Sequence, residues 1–344
     1  MINSLIKTKV PFVIAEAGVN HNGSIKIAKK LVDIAVKAKA DAIKFQTFNT
    51  ERLILKSAPK AKYHKKTTGS DKKLSWYNLL KSQEMDIGMH KKLINYCKKK
   101  KIIFLSTPYD EESSDVLEKL KVKIFKVAST DNNNSFLLKH LARKNKLMII
   151  STGMMTMSEL EDSLKLLKKH NSKIILMHCT SSYPCESKDA NINLIEQYIK
   201  KFPFKVGFSD HTLGSTASIL ALAKGARIFE KHFTLSKKMK GPDHIMSLDP
   251  NELKNYVNDL KNAYKMLGSK NKKVFNSENE NYNKLKKKIV TKFFLSKNTK
   301  IKRNMLTAKR ANGGISVSSL KFFIGKHTRL NLKPNIVLKK THLK

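Results

Sequence analysis

The feature that most restricts how this chain can fold is an alternation repeated eight times. A short β-branched or aromatic run is followed by a longer amphipathic stretch. Strands are expected at 12–16, 42–47, 102–107, 124–129, 147–151, 174–179, 205–209 and 228–232. Helical stretches such as 24–39, 86–100, 157–169 and 212–223 lie between them, and 251–267 follows the last strand. Eight strand–helix units in about 265 residues are the count and length of an α/β fold of the (β/α)8, or TIM, barrel type. An open doubly wound sheet would more often carry a glycine-rich nucleotide turn after its first strand. Gly18-Val19-Asn20-His21-Asn22-Gly23 lacks that spacing.

The barrel domain is expected over residues 1–268. The connection at 51–85 is far longer than an ordinary strand-to-helix loop, which predicts a lid or binding loop over the barrel mouth. A polar Lys/Asn-rich stretch, 269–288, reads as a linker. Residues 289–344 carry short apolar runs broken by Asn312-Gly313-Gly314 and Lys333-Pro334-Asn335, the pattern of a small all-β module. A module of that size has little core of its own and is expected to dock on a barrel.

The 344 residues carry a net charge of +42, from 69 basic and 27 acidic side chains. Between Asn281 and Lys344 there are 18 basic residues and no acidic one. Such a balance raises the possibility of a nucleic-acid or other polyanion partner. Yet only six of the 69 are arginine, the side chain whose planar fork suits phosphates and base edges. A lysine-rich surface without a specific nucleic-acid partner is the reading adopted, with polyanion binding as the remote alternative. Recurrent apolar runs exclude a disordered chain, and three cysteines exclude a disulfide scaffold. No apolar run reaches the roughly 18 residues a membrane span needs, and Lys7 and Lys9 interrupt any signal-like stretch. A cytoplasmic protein is expected.

In such a barrel the chemistry lies at the carboxyl ends of the strands. Those ends carry Glu16; Lys44 and Gln46; Ser106-Thr107; Lys126 and Ser129; Ser151-Thr152; His178-Cys179-Thr180; Ser209-Asp210-His211; and Lys231-His232. Two lysines among several hydroxyls describe a site for a small anion bearing phosphate or carboxylate. His211 and His232 end adjacent strands and suit a divalent metal acting as a Lewis acid. His178 serves either packing or ligand orientation. Cys179 reads as a small buried residue, with no base placed for a nucleophile. After the eighth strand, the rigid Gly241-Pro242 turn can present Asp243 to the mouth.

These segments resemble the sialic acid synthase family, of the bacterial N-acetylneuraminate synthase type. The resemblance rests on Ile14-Ala15-Glu16-Ala17-Gly18-Val19-Asn20-His21-Asn22-Gly23, Ala42-Ile43-Lys44-Phe45-Gln46-Thr47-Phe48, Ser106-Thr107-Pro108, Lys126-Val127-Ala128-Ser129 and Ser151-Thr152-Gly153-Met154. It continues through His178-Cys179-Thr180, Gly207-Phe208-Ser209-Asp210-His211-Thr212, Glu230-Lys231-His232-Phe233-Thr234 and Gly241-Pro242-Asp243-His244. Thr307 to Ile315, with Arg310, is similar to the arginine motif of the antifreeze-like (SAF) domain that closes these enzymes.

The resemblance implies a metal-dependent condensation of phosphoenolpyruvate with N-acetylmannosamine, releasing phosphate and giving N-acetylneuraminate. A 2,4-diacetamido-trideoxy hexose, giving legionaminate or pseudaminate, is the alternative. It implies that Lys44, Thr107, Lys126, Ser129, Ser151, Ser181 and Ser209 hold phosphoenolpyruvate. His211 and His232 would bind Mn2+ or Mg2+. Glu16, Gln46, Tyr183 and Asp243 would hold or activate the sugar, with Glu16, Lys44 and Asp243 as catalytic candidates. Arg310 would reach the sugar's N-acetyl group from the partner chain of a domain-swapped homodimer. Three places depart from the family pattern and bear on the sugar. Ser181-Ser182 stand for an Asn or an acidic residue, Tyr63-His64 for Tyr-Gln, and Ala311-Asn312 for the Pro-Gly that usually follows the arginine.

Overall fold

The computed structural model describes residues 5–70, 72, 74–170 and 173–344. Eight parallel strands close into a barrel in sequence order. They are β1 (Phe12–Gly18), β2 (Ala42–Thr47), β3 (Ile103–Pro108), β4 (Ile124–Val127), β5 (Leu147–Ser151), β6 (Ile174–Cys179), β7 (Lys205–Asp210) and β8 (Ile228–His232). Helix α1 (Ile25–Lys37) follows β1. The long connection after β2 is built of three short helices, α2 (Thr50–Leu53), α3 (Lys62–Thr68) and α4 (Trp76–Lys81), before α5 (Ile87–Lys99) returns to the barrel wall. Residues 71 and 73 of this connection lie outside the described residues. The remaining strands are followed by α6 (Glu111–Lys119), α7 (Ser135–Arg143), α8 (Met157–Lys168), α9 (Leu194–Lys201), α10 (Thr216–Ala223) and α11 (Pro250–Leu267).

Two boundaries differ instructively from the sequence pattern. The fourth strand stops at Val127, so Ser129 lies in the following loop. The helix expected from 212 begins only at Thr216. Thr212 donates both its amide and its hydroxyl to Asp210 Oδ1, at 2.8 and 2.7 Å, which holds this segment as a turn.

Strand parity decides which residues can do chemistry. Successive side chains point to opposite faces, so every second residue of a barrel strand faces the axis. Ile14, Ala42, Leu105, Ile124, Leu147, Ile149, Ile175, Met177 and Ile228 fill the barrel interior. Their neighbours Val13, Ile43, Phe125, Met148, Leu176, Phe208 and Phe229 pack outward against the helices. The same inward parity, carried toward the carboxyl ends, gives Glu16, Lys44, Thr107, Lys126, Ser151, Ser209, Glu230 and His232. Outward parity gives His178 and Lys231, which corrects their place among the mouth residues. His178 stacks on Phe208 at 5.6 Å, and its Nε2 is 2.7 Å from the Ala190 carbonyl. Lys231 pairs with Asp210 at 3.0 Å behind the strands.

The chain divides into two compact units, Met1–Gly268 and Ser269–Lys344. In the second, residues 279–285 form a short exposed helix, α12 (Asn279–Leu285). Strands β9 (Lys287–Thr291) and β10 (Leu306–Arg310) then pair antiparallel. Ile289, Leu295, Ile301, Leu306, Phe323, Leu332, Leu338 and Leu343 form this unit's core. Among the described residues no helix is long and apolar enough to cross a membrane.

Gly207 marks a close approach of two barrel strands. A Cβ there would lie 2.5 Å from the Ile228 carbonyl oxygen, a backbone atom fixed by the sheet. Gly207→Ala should therefore cost about 1–3 kcal/mol of stability, as overpacking does. Urea unfolding would read this as a lower midpoint, and an unchanged midpoint would show that β7 and β8 can separate.

Candidate active site

Four charges meet inside the carboxyl end of the barrel. The Lys44 ammonium lies 3.0 Å from Glu16 Oε1 and 3.7 Å from Glu230 Oε2, and donates to Thr107 Oγ1 at 2.9 Å. Lys126 Nζ donates to Ser151 Oγ at 2.6 Å and lies 3.9 Å from Glu230 Oε1. Ser209 donates to the same Glu230 oxygen at 3.1 Å. Register explains the convergence, because Glu16 on β1 is aligned with both Lys44 on β2 and His232 on β8. All four charged residues are at most 5% exposed.

Burial of this kind separates the two carboxyls. Burial lifts the Glu16 pKa to about 7, against the opposing pull of Lys44, and the nearby Glu230 charge adds to the rise. Burial also opposes ionisation of Glu230, but Lys126, Lys44 and the Ser209 hydroxyl outweigh it and hold this carboxyl below its usual range. Burial, helped by Lys44, lowers Lys126. Lys44 itself is raised, because Glu16 and Glu230 overcome its desolvation. Glu16 Oε2 and Glu230 Oε2 are buried without a hydrogen-bond partner among the described residues, so the cluster has acceptor capacity to spare.

Beside Lys126 is a cradle of hydroxyls. Ser129 Oγ accepts from the Gly153 amide at 3.2 Å. A Cβ on Gly153 would come within 2.3 Å of Ser181 Oγ and 2.7 Å of Ser129 Oγ, so only glycine lets these groups gather. Lys126, Ser129, Ser151 and Ser181 thus present donors sized for a phosphate.

On the other side, the imidazoles of His211 and His232 lie with centroids 5.5 Å apart. The 2.9 Å contact between His211 Nδ1 and the Thr180 carbonyl places a proton on Nδ1; burial opposes the charged ring, but Cys179 and the Thr180 carbonyl outweigh it and raise its pKa. Burial, reinforced by His211 and the lysines, holds His232 neutral, and its Nδ1 is buried and unpartnered. Among the described residues no group of three or more His, Cys, Asp or Glu side chains converges as a metal cage. Two imidazoles, His232 held neutral and His211 oriented by a carbonyl and able to give up its extra proton on binding, nevertheless fit a divalent cation whose other positions stay open to water or substrate. The Lys231–Asp210 pair, with Ser218 donating to Asp210 at 2.7 Å, fixes the turn that carries His211.

An aromatic row runs from this pair into the long connection. Tyr183 lies 4.2 Å from His211, Tyr63 lies 5.1 Å from Tyr183, His64 lies 4.0 Å from Tyr63, and Trp76 lies 5.4 Å from His64, all between ring centroids. Asp243 is nearly buried, and burial raises it to about 6 although His211 pulls the other way. A Cβ on Gly18 would meet Gln46, Glu16 and His232 at 3.4, 3.4 and 3.6 Å, so Gln46 belongs to the same mouth. Cys179 is buried, with its sulfur 3.7 Å from His211 Nδ1. Arg310 is exposed at the end of β10 in the second unit, in register with Lys287.

Glu230 is the residue that reading strand ends missed. It lies two before His232 on β8, and inward parity with that histidine was the available signal. Trp76 carries no comparable signal, because it enters the row through the fold of the long connection.

Carboxyl-carbon NMR on glutamate-labelled protein should show Glu16 titrating at about 7 rather than the ordinary 4.5, with that resonance absent in Glu16→Gln. The folded form then keeps this proton to higher pH than the unfolded chain. Glu16's contribution to stability is therefore full at low pH and lost as pH rises from about 4.5 through about 7. Glu16→Gln should flatten that decline, whereas an ordinary midpoint would mean that water screens the cluster.

The chain matches the NeuB family over residues 31–272. It is 41% identical to the N,N'-diacetyllegionaminic acid synthase of Campylobacter jejuni over 96% of this chain and 99% of that protein. The enzyme of the same name from Legionella pneumophila is 36% identical over 96% of this chain and 94% of its own length. A crystal structure of an N-acetylneuraminic acid (sialic acid) synthetase from Leptospira borgpetersenii superposes with a TM-score of 0.71 at 35% identity, covering 80% of this chain and 90% of that one. The buried lysine–carboxylate cluster sits on a scaffold shared along nearly the whole chain, which belongs to the NeuB family of nonulosonic acid synthases, transferases that condense phosphoenolpyruvate with an amino sugar.

Proposed function

We propose that this enzyme joins phosphoenolpyruvate to a 2,4-diacetamido-trideoxy hexose, with water, to give a legionaminate-type nine-carbon 2-keto acid and inorganic phosphate. The observation that carries the reading is the pair of buried lysines, Lys44 and Lys126, each between a carboxylate and a hydroxyl on the inner barrel wall. The choice of sugar is supported by the two legionaminate synthases that match 96% of the chain. N-acetylmannosamine, giving N-acetylneuraminate, is the second reading, supported by the Leptospira synthetase. A third sugar, giving pseudaminate, would use the same chemistry, and a pseudaminic acid synthase of Campylobacter jejuni is 34% identical over 76% of this chain.

In this reading Lys44, Thr107, Lys126, Ser129, Ser151, Ser181 and Ser209 hold phosphoenolpyruvate, their ammonium and hydroxyl donors shared between its phosphate and carboxylate. His211 and His232 would hold Mn2+ or Mg2+, which when bound supplies Lewis-acid polarisation of the sugar aldehyde. Gln46, Tyr183 and Asp243 contact the sugar. The methylene carbon of phosphoenolpyruvate forms a bond to the aldehyde carbon, water adds at the resulting cationic centre, and phosphate leaves. An anionic substrate draws Lys44 away from Glu16, which raises that carboxyl's proton affinity further. A carboxyl poised near neutrality can accept the proton of the attacking water and return it to a leaving group. Glu230 stays ionised between the two lysines and keeps the empty site close to neutral. Asp243, also raised, protonates the sugar oxygen as the new bond forms.

The second unit is proposed to be an SAF module that lends Arg310 to the partner's barrel mouth in a domain-swapped homodimer. Mixing Lys126→Met with Arg310→Ala, each inactive alone, should then restore about a quarter of wild-type activity through heterodimers with one intact mouth in two. Absence of any rescue would place Arg310 at its own mouth or outside the chemistry.

Phosphate release with phosphoenolpyruvate, Mn2+ and each sugar in turn decides the substrate. The diacetamido-trideoxy hexose should give the highest kcat/KM, and a preference for N-acetylmannosamine would instead support the second reading. Chelation should abolish turnover, with recovery on adding Mn2+, and His211→Ala should resist that recovery. Full activity in chelator would remove the metal from the mechanism.

A further inference from the structure

The opposite end of the barrel carries a cavity that the chemistry above leaves unused. It has a volume of about 570 Å3 and lies where Lys205 opens β7, Arg227 precedes β8, Thr8 and Lys9 precede β1, and Tyr264 and Lys265 close α11. Four of these residues are cationic, and none of the residues lining the cavity is acidic. Among the described residues no carboxylate forms an ion pair with Lys9, Lys205, Arg227 or Lys265, although ion pairs are frequent elsewhere on the barrel surface.

Part of this arrangement is structural. Arg227 Nη1 donates to the Leu222 and Ala226 carbonyls at 3.0 and 2.7 Å, closing the carboxyl end of α10. That use leaves its Nε and Nη2 without a hydrogen-bond partner among the described residues, and the guanidinium carbon lies 5.8 Å from the centre of the Tyr264 ring. The fork is held in place with three N–H donors on two nitrogens free, an arrangement suited to phosphate. Lys205 donates only to the Thr8 carbonyl, at 2.9 Å. Burial and then the Arg227 charge lower its pKa, and burial lowers that of Arg227. Two half-buried like charges side by side repel one another, and an anion between them would relieve that repulsion.

We propose that this cavity is a binding site for a phosphate-bearing small molecule, separate from the barrel mouth, with Arg227 and Lys205 gripping the phosphate and Lys9 and Lys265 at its rim. Its volume lies within the range of small-molecule pockets, large enough for a phosphate together with the group that carries it.

The test is calorimetric titration of inorganic phosphate, without phosphoenolpyruvate, into full-length Lys126→Met, whose mouth has lost a phosphate-holding lysine. Protein with the wild-type cavity in that background should show one saturable site per chain that weakens as salt is raised. The exposed pair Lys9→Glu/Lys265→Glu, whose side chains hold nothing else in the fold, should bind about tenfold more weakly or worse. Arg227→Gln should lose the site, with circular dichroism checking that it folds, while kcat in the condensation stays at the wild-type value in the Lys9/Lys265 variant that keeps Lys126. No saturable binding with the wild-type cavity, or equal binding with and without the Lys9/Lys265 substitutions, would overturn the proposal.

Discussion

Most of what this protein can do depends on four charges that the barrel holds away from water. Two lysines and two glutamates, isolated in a protein interior, would each be strongly destabilising, because desolvation of an ion costs several kcal/mol. Placed within 3.0–3.9 Å of one another they offset that cost in pairs, and Thr107, Ser151 and the Val127 carbonyl accept the other lysine donors. The balance is uneven. Glu230 is touched by both lysines and stays ionised, whereas Glu16 is held by one and is pushed toward neutrality. Two like residues on neighbouring strands therefore acquire different acid strengths from position alone.

This inequality suits a reaction that must admit a highly charged substrate and then move protons. The carboxylates raise Lys44 above its ordinary range, whereas burial lowers Lys126 and Glu230 only opposes that fall. Beside them, Gly153 makes room for the serine cradle, since a Cβ there would run into the Ser181 and Ser129 hydroxyls. The reacting partner enters past a different kind of wall. Tyr183, Tyr63, His64 and Trp76 form an aromatic row in which three members come from the long connection after β2. In the proposed reaction such ring faces would suit acetamido and methyl substituents better than charge, which would give sugar choice to this connection and anion binding to the strands.

The basic character of the chain also divides by location. Lys44 and Lys126 act inside the barrel, where each is neutralised. Lys205 and Arg227, at the far end, have no carboxylate partner among the described residues, although the surface around them is rich in ion pairs. Most of the other lysines form a solvated surface that can draw in anions without recognising them. A net charge of +42 is thus a poor guide to partners, and the position of individual cations is a good one.

The eightfold alternation was legible in the sequence because strand and helix impose different hydrophobic periods. Five of the helices and all eight strands lay within a few residues of the positions so read. Glu16, Lys44, Thr107, Lys126, Ser151, Ser209, His211 and His232 were equally legible, since a barrel gathers the carboxyl ends of its strands. Three things were not legible. His178 and Lys231 end strands as plausibly as their neighbours do, yet parity turns both outward. Glu230 hides in mid-strand, and its partners come from β2, β4 and β7, far away in sequence. The separation of the Glu16 and Glu230 acidities has no sequence counterpart at all. Local residue patterns determine elements and faces, because they depend on neighbours along the chain. Electrostatic character was decided only by tertiary structure, because it depends on which charges the closed barrel brings together and how completely it removes them from water.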